Sequence, residues 1–167
     1  MKPIILIPAR MAATRLPGKP LADINGIPMI VRVLRQAQAA AIGPVAVAAG
    51  DIEIVEAVRA AGGLAVLTDP HLPSGSDRIV AALNEIDPAG DHDVVINLQG
   101  DIPFLAPSVV EATARLLADQ PSCDISTVMV AEADVAERAN PDIPKVVASM
   151  AVDGRSARAL YFTRSVL

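Results

Sequence analysis

The chain has few of the residues from which disulfide bonds, thiolate metal clusters and aromatic-rich cores are built. Cys123 is the single cysteine among 167 residues, which excludes an internal disulfide bond and a metal centre made of several thiolates. Tryptophan is absent, and the aromatic residues are Phe104, Tyr161 and Phe162. The core is therefore expected to be aliphatic, as in parallel sheets. Such low cysteine use is typical of a reducing compartment, and we expect a cytoplasmic protein.

Long apolar runs and an excess of positive charge are also absent. No apolar stretch approaches the roughly 20 residues that span a bilayer, and the run that begins at Ile4 is too short for a signal peptide. The net charge of −5 argues against a protein that binds duplex nucleic acid, so we expect neither nucleic acid nor membrane as a partner. The pattern GxxxxGK[ST] does not occur, which argues against an ordinary P-loop ATPase. His71 and His92 are far apart in the sequence, and we interpret both as structural.

Three cations follow the first apolar run of the chain. Ile4 to Ile7 predict a strand that is buried on both faces and ends at Pro8. Arg10, Arg15 and Lys19 come next, separated by small residues that allow the backbone to approach an anion closely. This arrangement predicts a loop that binds a polyphosphate. Solvated surface charge is the alternative interpretation of the same three side chains.

Strand and helix patterns alternate along most of the chain. Apolar runs predict further strands at Val45–Ala49, Leu64–Leu67, Val94–Leu98 and Cys123–Val130, and a hairpin with strands at Pro144–Ala148 and Ala157–Phe162 around a turn at Asp153 and Gly154. Helical periodicity predicts helices after Pro28, from Gly50 to Ala61, after Ser74, from Pro107 to Ala118, and from Ala133 to Ala139. The alternation predicts an α/β fold in three layers with a mainly parallel sheet, in a single domain over residues 1–167.

A Ser-Gly turn opens the helix that follows the third strand. Ser74 and Gly75 begin it and Arg78 lies in its first turn. The free N–H groups of a helix start could face a base or a phosphate. The alternative is an ordinary helix N-cap made by Ser74 or Ser76.

An acid follows the Val94–Leu98 strand almost directly. Ligands of open α/β folds bind beyond the carboxyl ends of parallel strands, and Asp101 would lie at that edge. A carboxylate there suits Mg²⁺, which bridges to nucleotide phosphates. A solvated turn aspartate that caps the next helix is the alternative.

Several of these motifs resemble one enzyme family. The stretch IPARMAATRLPGKPLADINGIPMI from Ile7 to Ile30 is similar to the amino-terminal motif of the 3-deoxy-manno-octulosonate cytidylyltransferases, the CMP-KDO synthetases. SGSDR, QGD after VVINL, and ALYFTR resemble further motifs of that family. The resemblance implies a Rossmann-like nucleotide-diphospho-sugar transferase architecture. It also implies transfer of CMP from CTP to the anomeric hydroxyl of 3-deoxy-D-manno-octulosonate for lipopolysaccharide biosynthesis, with Mg²⁺ as cofactor and a homodimer as the full-length form.

The resemblance also implies roles for particular residues. Catalytic roles fall to Arg10, Lys19 and Asp101, and Asp101 holds the metal. Nucleotide binding falls to Pro8, Ala9, Arg10, Arg15, Lys19, Ser74, Gly75, Arg78 and Gln99. Binding of the eight-carbon sugar acid falls to Gln99, Tyr161 and Arg164, although Tyr161 as a core residue and Arg164 as a surface residue are equally compatible with the sequence.

The chain departs from the family pattern at three places. Ile102 stands where the family usually has Glu, and the acid Asp51 stands one place later than usual, so that it is either displaced or serves only as a helix cap. Members of the family continue beyond the position of Leu167, so we expect an amino-terminal two-thirds fragment that lacks a second metal carboxylate and tends to self-associate. A non-catalytic nucleotide-binding fragment, or a nucleotidyltransferase for another nucleotide or sugar acid, is the alternative.

Overall fold

The computed structural model describes residues 1–12, 16–131, 134–152 and 154–165. The chain divides into two compact units, Met1–Ser126 and Thr127–Leu167, which are described separately. The single domain over residues 1–167 stays a prediction. In the part of the chain that the structure describes, no helix has both the length and the apolar character needed to cross a membrane.

The first unit contains six strands, four α-helices and one short 3-10 helix among its described residues. In chain order they are β1 (Pro3–Ala9), the 3-10 helix (Lys19–Leu21), β2 (Asp23–Ile24), β3 (Ile27–Pro28), α1 (Met29–Ala39), β4 (Val45–Ala49), α2 (Ile52–Ala60), β5 (Leu64–Leu67), α3 (Gly75–Ile86), β6 (Val94–Asn97) and α4 (Pro107–Asp119). These bounds confirm, to within a few residues, the strands and helices predicted between Ile4 and Ala118.

Four strands form a parallel sheet in the order β5-β4-β1-β6. All seven residues of β1 are buried, which confirms a strand covered on both faces. The predicted end at Pro8 is wrong, because β1 continues through Pro8 to Ala9. Pairing with β6 already stops at Leu6, whereas pairing with β4 runs on to Ala9. Alternate residues of a parallel strand bond to alternate neighbours, so the missing N–H of Pro8 faces the side where β6 has ended.

The two faces of this sheet are covered by different helices, which gives three layers. Ile5 and Ile7 point into a core shared with α1, α2 and Val110 of α4. Ile4 and Leu6, the alternate residues of β1, pack instead against Ile79 of α3. The α/β fold with a parallel sheet between helical layers is therefore confirmed for this unit.

The strand predicted at Cys123–Val130 is wrong. The segment is irregular, and Ile125 and Val130 are 84% and 87% exposed. Its β-branched residues give it a local preference for extended backbone. Within the described residues, however, no neighbouring strand forms hydrogen bonds with it. The hydroxyl of Ser126 donates instead to the carbonyl oxygen of Thr113 in α4, at 2.8 Å. Cys123, the first residue of the segment, is an exposed free thiol.

The second unit contains a short helix and an antiparallel hairpin. Helix α5 spans Val135–Ala139, and strands β7 (Lys145–Met150) and β8 (Ala157–Thr163) pair with an irregularity between Val147 and Ala148. The predicted helix and hairpin are confirmed. Ala133 and Asp153, which the predictions included, lie outside the described residues.

Candidate functional site

The strand order creates a crevice at the carboxyl end of the sheet. The chain passes from β1 to β4 and β5 on one side and then returns to the other side of β1 with β6. Open α/β sheets bind ligands at such a switch point, outside the carboxyl ends of the strands. The loop that follows β1 and the loop that follows β6 therefore meet where a ligand site is expected.

Lys19 and Asp101 make direct contact across this switch point. The Lys19 ammonium donates to Oδ2 of Asp101 at 2.7 Å, although the residues are 82 positions apart. The side chains are 36% and 52% exposed, so both charges remain accessible to a ligand. Two of the three predicted catalytic residues thus belong to one cluster.

The loop that carries the cations is closed by its own backbone. The Gly18 N–H donates to the Met11 carbonyl oxygen at 3.1 Å, and Gly18 has a φ of 72°, in the left-handed region that glycine tolerates best. The 3-10 helix starts at Lys19, and its Pro20 is buried. Lys19 is therefore attached to a fixed segment. The predicted nucleotide ligand Arg15 lies outside the described residues.

Asp51 connects this loop to the neighbouring strand β4. It occupies the N-cap position of α2, but its side chain makes no capping hydrogen bond. The carboxylate accepts the N–H of Met11 instead, at 2.7 Å and across 40 residues. The prediction that Asp51 serves only as a helix cap is therefore wrong, because the side chain is turned towards the loop that follows β1.

Arg10 and Arg78 both lie close to Gly50. A Cβ atom at Gly50 would lie 2.8 Å from Nη1 of Arg78 and 3.2 Å from Cβ of Arg10. Burial lowers the pKa of Arg78 from its usual value, and the positive charge of Arg10 lowers that pKa further, whereas Asp51 and Asp69 raise it. Arg10 is exposed, and it is the member of the pair whose guanidinium a ligand can reach.

Arg78 is the buried partner, with 2% of its surface exposed. Its guanidinium donates to the hydroxyl of Thr68 and to the carbonyl oxygens of Asp69 and Pro70. The Thr68 hydroxyl in turn donates to the Ala49 carbonyl oxygen at the end of β4, at 2.9 Å. Arg78 thus supports the ends of β4 and β5 from within. Its role as a nucleotide ligand stays a prediction.

The start of α3 lies over the end of β1. Ser74 is the N-cap of this helix, because its hydroxyl oxygen accepts the Asp77 N–H at 3.2 Å, so the cap assigned alternatively to Ser76 is wrong. A Cβ atom at Gly75 would lie 3.4 Å from Cγ of Pro8. The first turn of α3 is therefore adjacent to Pro8 and to the loop that follows it.

The end of β6 also approaches Pro8 closely. A Cβ atom at Gly100 would lie only 2.7 Å from the Pro8 carbonyl oxygen, so the absence of a side chain permits this approach. Gln99 beside it is exposed, and its amide donates to Oδ1 of Asn97 at 2.7 Å. The predicted ligands Pro8 and Gln99 thus lie at the carboxyl end of the sheet.

The predicted sugar-acid ligands Tyr161 and Arg164 belong to the second unit. Tyr161 is 58% exposed on β8, so its alternative interpretation as a core tyrosine is wrong. Arg164 donates through Nη1 to the carbonyl oxygens of Pro141 and Asp142, at 3.1 and 2.9 Å. It thereby fixes the end of β8 to the loop before β7.

Asp101 fits a bound Mg²⁺ of the kind that nucleotides bring with them. Within the described ranges no group of three or more acidic, histidine or cysteine side chains forms a metal cage. Mg²⁺ does not require one, since one or two carboxylates, waters and substrate phosphates complete its shell. The half-exposed carboxylate of Asp101, beside the loop predicted to bind a polyphosphate, could supply the protein's part of such a set.

Sequence reasoning missed two contacts at this edge of the sheet, one that holds the loop after β1 and one that supports the ends of β4 and β5. The Asp51–Met11 hydrogen bond and the Arg78–Thr68 contact join segments that share no local motif. An acid directly after β4 was the one available signal, since the ends of neighbouring parallel strands meet at one edge.

Comparisons with known proteins agree with this geometry. The model of the family described as cytidylyltransferase matches residues 4–167. The 3-deoxy-manno-octulosonate cytidylyltransferase of Rhodospirillum rubrum is 53% identical over 165 residues, covering 99% of this chain and 66% of that protein. The enzyme of the same name from Paramagnetospirillum magneticum is 48% identical and covers 100% of this chain and 68% of that protein. The chain thus spans about two thirds of the length of these relatives.

A solved structure gives the same result. The structure of CMP:2-keto-3-deoxy-manno-octonic acid synthetase complexed with CTP aligns with a TM-score of 0.82 at 38% identity, over 100% of this chain and 66% of that one. Family match, relatives and structural neighbour cover the sheet and both crevice loops together. The chain belongs to the cytidylyltransferase family, among the 3-deoxy-manno-octulosonate cytidylyltransferases.

Proposed function

We propose that the chain acts as a cytidylyltransferase. It transfers CMP from CTP to the anomeric hydroxyl of 3-deoxy-D-manno-octulosonate and releases pyrophosphate. The observation that carries the proposal is the contact between Lys19 and Asp101 at the switch point of the sheet. It joins a cation that suits a triphosphate to a carboxylate that suits its metal. The names of the similar proteins supply the nucleotide and the sugar acid.

The reaction needs no protein nucleophile. The anomeric oxygen forms a bond to the α-phosphorus, the bond from that phosphorus to the bridging oxygen breaks, pyrophosphate leaves, and the hydroxyl proton passes to solvent. The protein's contribution is to position the two reactants and to stabilise negative charge on the phosphate oxygens.

Arg10 and Lys19 carry the charge stabilisation in this proposal. Arg10 is exposed at the end of β1, and the Lys19 ammonium is held at the entrance of the crevice by Asp101. An arriving triphosphate offers both cations oxygen acceptors with more negative charge than one carboxylate. Arg15, next to them in the sequence, is a third candidate for the same role.

Asp101 is the residue that would hold Mg²⁺ in the complex with nucleotide. When bound, the ion neutralises charge that develops on the phosphate oxygens. Asp101 would hold the ion in place of its present contact with Lys19, and the Lys19 ammonium would then be available to phosphate.

The remaining ligands are proposed from the surfaces next to this cluster. The helix start at Ser74 and Gly75 faces the end of β1, where free N–H groups suit a base edge or a phosphate. Gln99 is exposed beside Asp101 and suits hydroxyl groups of either substrate. Tyr161 and Arg164 are proposed as contacts of the sugar acid.

The proposal extends to the setting of the reaction. Lipopolysaccharide biosynthesis is the process that consumes a CMP-activated 3-deoxy sugar acid, and the cytoplasm is the proposed compartment. A homodimer is the proposed assembly of the longer protein.

A nucleotide panel with a turnover assay tests this function. CTP, UTP, GTP and ATP are titrated into the chain with Mg²⁺ by calorimetry, and pyrophosphate release is then measured with the sugar acid added. Selective CTP binding with pyrophosphate release supports the proposal in full. Selective binding without release assigns the chain the nucleotide half of the site, and equal or absent binding of all four nucleotides contradicts the proposal.

A further inference from the structure

We infer that Asp51 is a positioning residue for the triphosphate. Its carboxylate fixes the loop that follows β1, the proposed phosphate loop, at Met11 and thereby orients Arg10. The inference rests on the proposed function, since it concerns the same loop. It assigns a role to an acid that contacts the loop backbone and not the proposed ligand.

The hydrogen bond of Asp51 to the loop is made directly beside Arg10. Oδ2 of Asp51 accepts the N–H of Met11, the residue that directly follows Arg10. One residue earlier, the Gly50 N–H donates to the Ala9 carbonyl oxygen at 2.9 Å. The peptide units before and after Arg10 are thus both bonded to the Gly50–Asp51 corner. Two such bonds leave the backbone at Arg10 little freedom to rotate, which sets the direction in which its side chain departs.

Asp51 does not make the side-chain hydrogen bond that its N-cap position would allow. An aspartate at an N-cap position ordinarily accepts an N–H of the first helical turn, and such a cap stabilises a helix. The backbone of Asp51 is extended, with a φ of −141° and a ψ of 144°, as an N-cap residue requires. Its side chain nevertheless bonds to the loop. The carboxylate therefore stabilises the loop through Met11 and does not cap helix α2.

The charged side chains near Gly50 also favour this role for Asp51. Arg10 and the buried Arg78 both approach Gly50, and their positive charges repel each other. The carboxylate of Asp51 attracts Arg78 and offsets part of that repulsion. It thereby allows the exposed cation to stay beside the buried one in the absence of a ligand.

The test measures the affinity of the full 167-residue chain for inorganic tripolyphosphate by calorimetry, with CTP in parallel. Asp51→Ala removes the acceptor, and Asp51→Asn keeps an oxygen that accepts the Met11 N–H. Asp93→Ala is the matched control, because Asp93 accepts the Lys2 N–H at the opposite end of β1 in the same way. Arg10→Ala and the double variant Arg10→Ala/Asp51→Ala complete a cycle. Circular dichroism verifies that each variant is folded.

We expect Asp51→Ala to weaken tripolyphosphate binding about tenfold, the effect of losing one hydrogen bond to a charged group. Asp51→Asn keeps the acceptor but loses the charge, so it should weaken binding less than Asp51→Ala does. Asp93→Ala should not change the affinity, and Asp51→Ala should lower the affinity little once Arg10 is absent. A purely structural role would give the same loss with and without Arg10, and that additivity would overturn the inference. Wild-type affinity in Asp51→Ala would also overturn it, as would a wild-type chain that does not bind tripolyphosphate.

The two proposals fail in different ways. Tripolyphosphate binding that depends on Asp51, without preference for CTP, retains the inference and contradicts the proposed function. Selective CTP binding that does not change in the Asp51 variants supports the proposed function and contradicts the inference about Asp51.

Discussion

At the scale of single residues, the Lys19–Asp101 pair is proposed to serve binding, and it contributes little to stability. Both side chains are substantially exposed, and exposed ion pairs contribute about 0–1 kcal/mol to folding. The same exposure leaves the ammonium accessible to an incoming phosphate, with which it makes stronger, charge-assisted hydrogen bonds.

Lys19→Ala should therefore separate binding from stability. We expect the affinity for CTP with Mg²⁺ to fall about tenfold or more, because a hydrogen bond to a charged group is lost. The free energy of unfolding should change by less than about 1 kcal/mol. Calorimetric titration and urea unfolding measure the two quantities. Arg35→Ala, at an exposed position of α1, is the control for loss of a positive charge, and equal CTP affinity in Lys19→Ala and wild type would contradict the site.

Asp87 makes stability depend on pH at the end of α3. Its carboxylate accepts the N–H groups of His92 and Asp91, at 2.9 and 2.8 Å, and these bonds hold the pKa of Asp87 below its usual value of 3.8. Because the folded state binds this proton less tightly than the unfolded chain, the stabilisation is complete above the unfolded pKa. It is lost as the pH falls through the lower, folded pKa.

Asp87→Asn should therefore flatten the acid limb of the stability profile. We expect a lower urea midpoint than wild type at neutral pH, and a difference that shrinks below about pH 4 as the wild-type carboxylate is protonated. Asp119→Asn, at the exposed end of α4, is the matched control and should leave the profile unchanged. A constant difference between Asp87→Asn and wild type over the whole range would refute this account.

At the scale of elements, the crevice depends on how closely the strand ends approach one another. Gly50 and Gly100 follow β4 and β6, and at both positions a Cβ atom would lie less than 3 Å from an atom of another segment. At Gly100 that atom is the backbone carbonyl oxygen of Pro8, which cannot turn aside as a flexible side chain could. The loop after β6 therefore reaches β1 only because position 100 has no side chain.

Gly100→Ala should destabilise the first unit by about 1–3 kcal/mol, the usual effect of overpacking. Thermal and urea unfolding measure this effect. Gly75→Ala is the control, because a Cβ atom there would meet the Pro8 ring at ordinary distances of 3.4 and 3.6 Å. We expect it to be neutral or slightly stabilising. Equal stability of Gly100→Ala and wild type would show that the strand ends are less tightly packed than described.

At the scale of the whole molecule, apolar side chains are exposed in both units. Ile125 lies in the first unit with 84% exposure, and Leu160 and Phe162 of β8 are 62% and 58% exposed. Exposed apolar residues on a hairpin edge favour contact with further copies.

We therefore expect the chain to self-associate as its concentration rises, as measured by light scattering. Phe162→Ser should shift the association to higher concentration, and Arg158→Ser on the same strand should not. A monodisperse monomer at all concentrations would contradict the prediction.

The sequence by itself determined most of the elements. The buried run Ile4–Ile7, the proline before α1 and the glycines after α2 act over a few residues, so they specify β1, α1 and α2 without reference to the rest of the chain. The cations after β1 and the acid after β6 likewise identified the edge of the sheet at which the candidate site lies.

Only the tertiary structure decided which of these side chains meet. The order β5-β4-β1-β6 brings Asp51 to Met11 and Lys19 to Asp101, and it leaves the segment Cys123–Val130 without a neighbouring strand in the described part of the chain. Contacts across 40 and 82 residues leave no periodic signature, because they follow from the order in which strands pack to bury both faces of the sheet. The β-branched residues of Cys123–Val130 favour extended backbone locally. A strand is stable, however, only when another strand forms hydrogen bonds with its backbone.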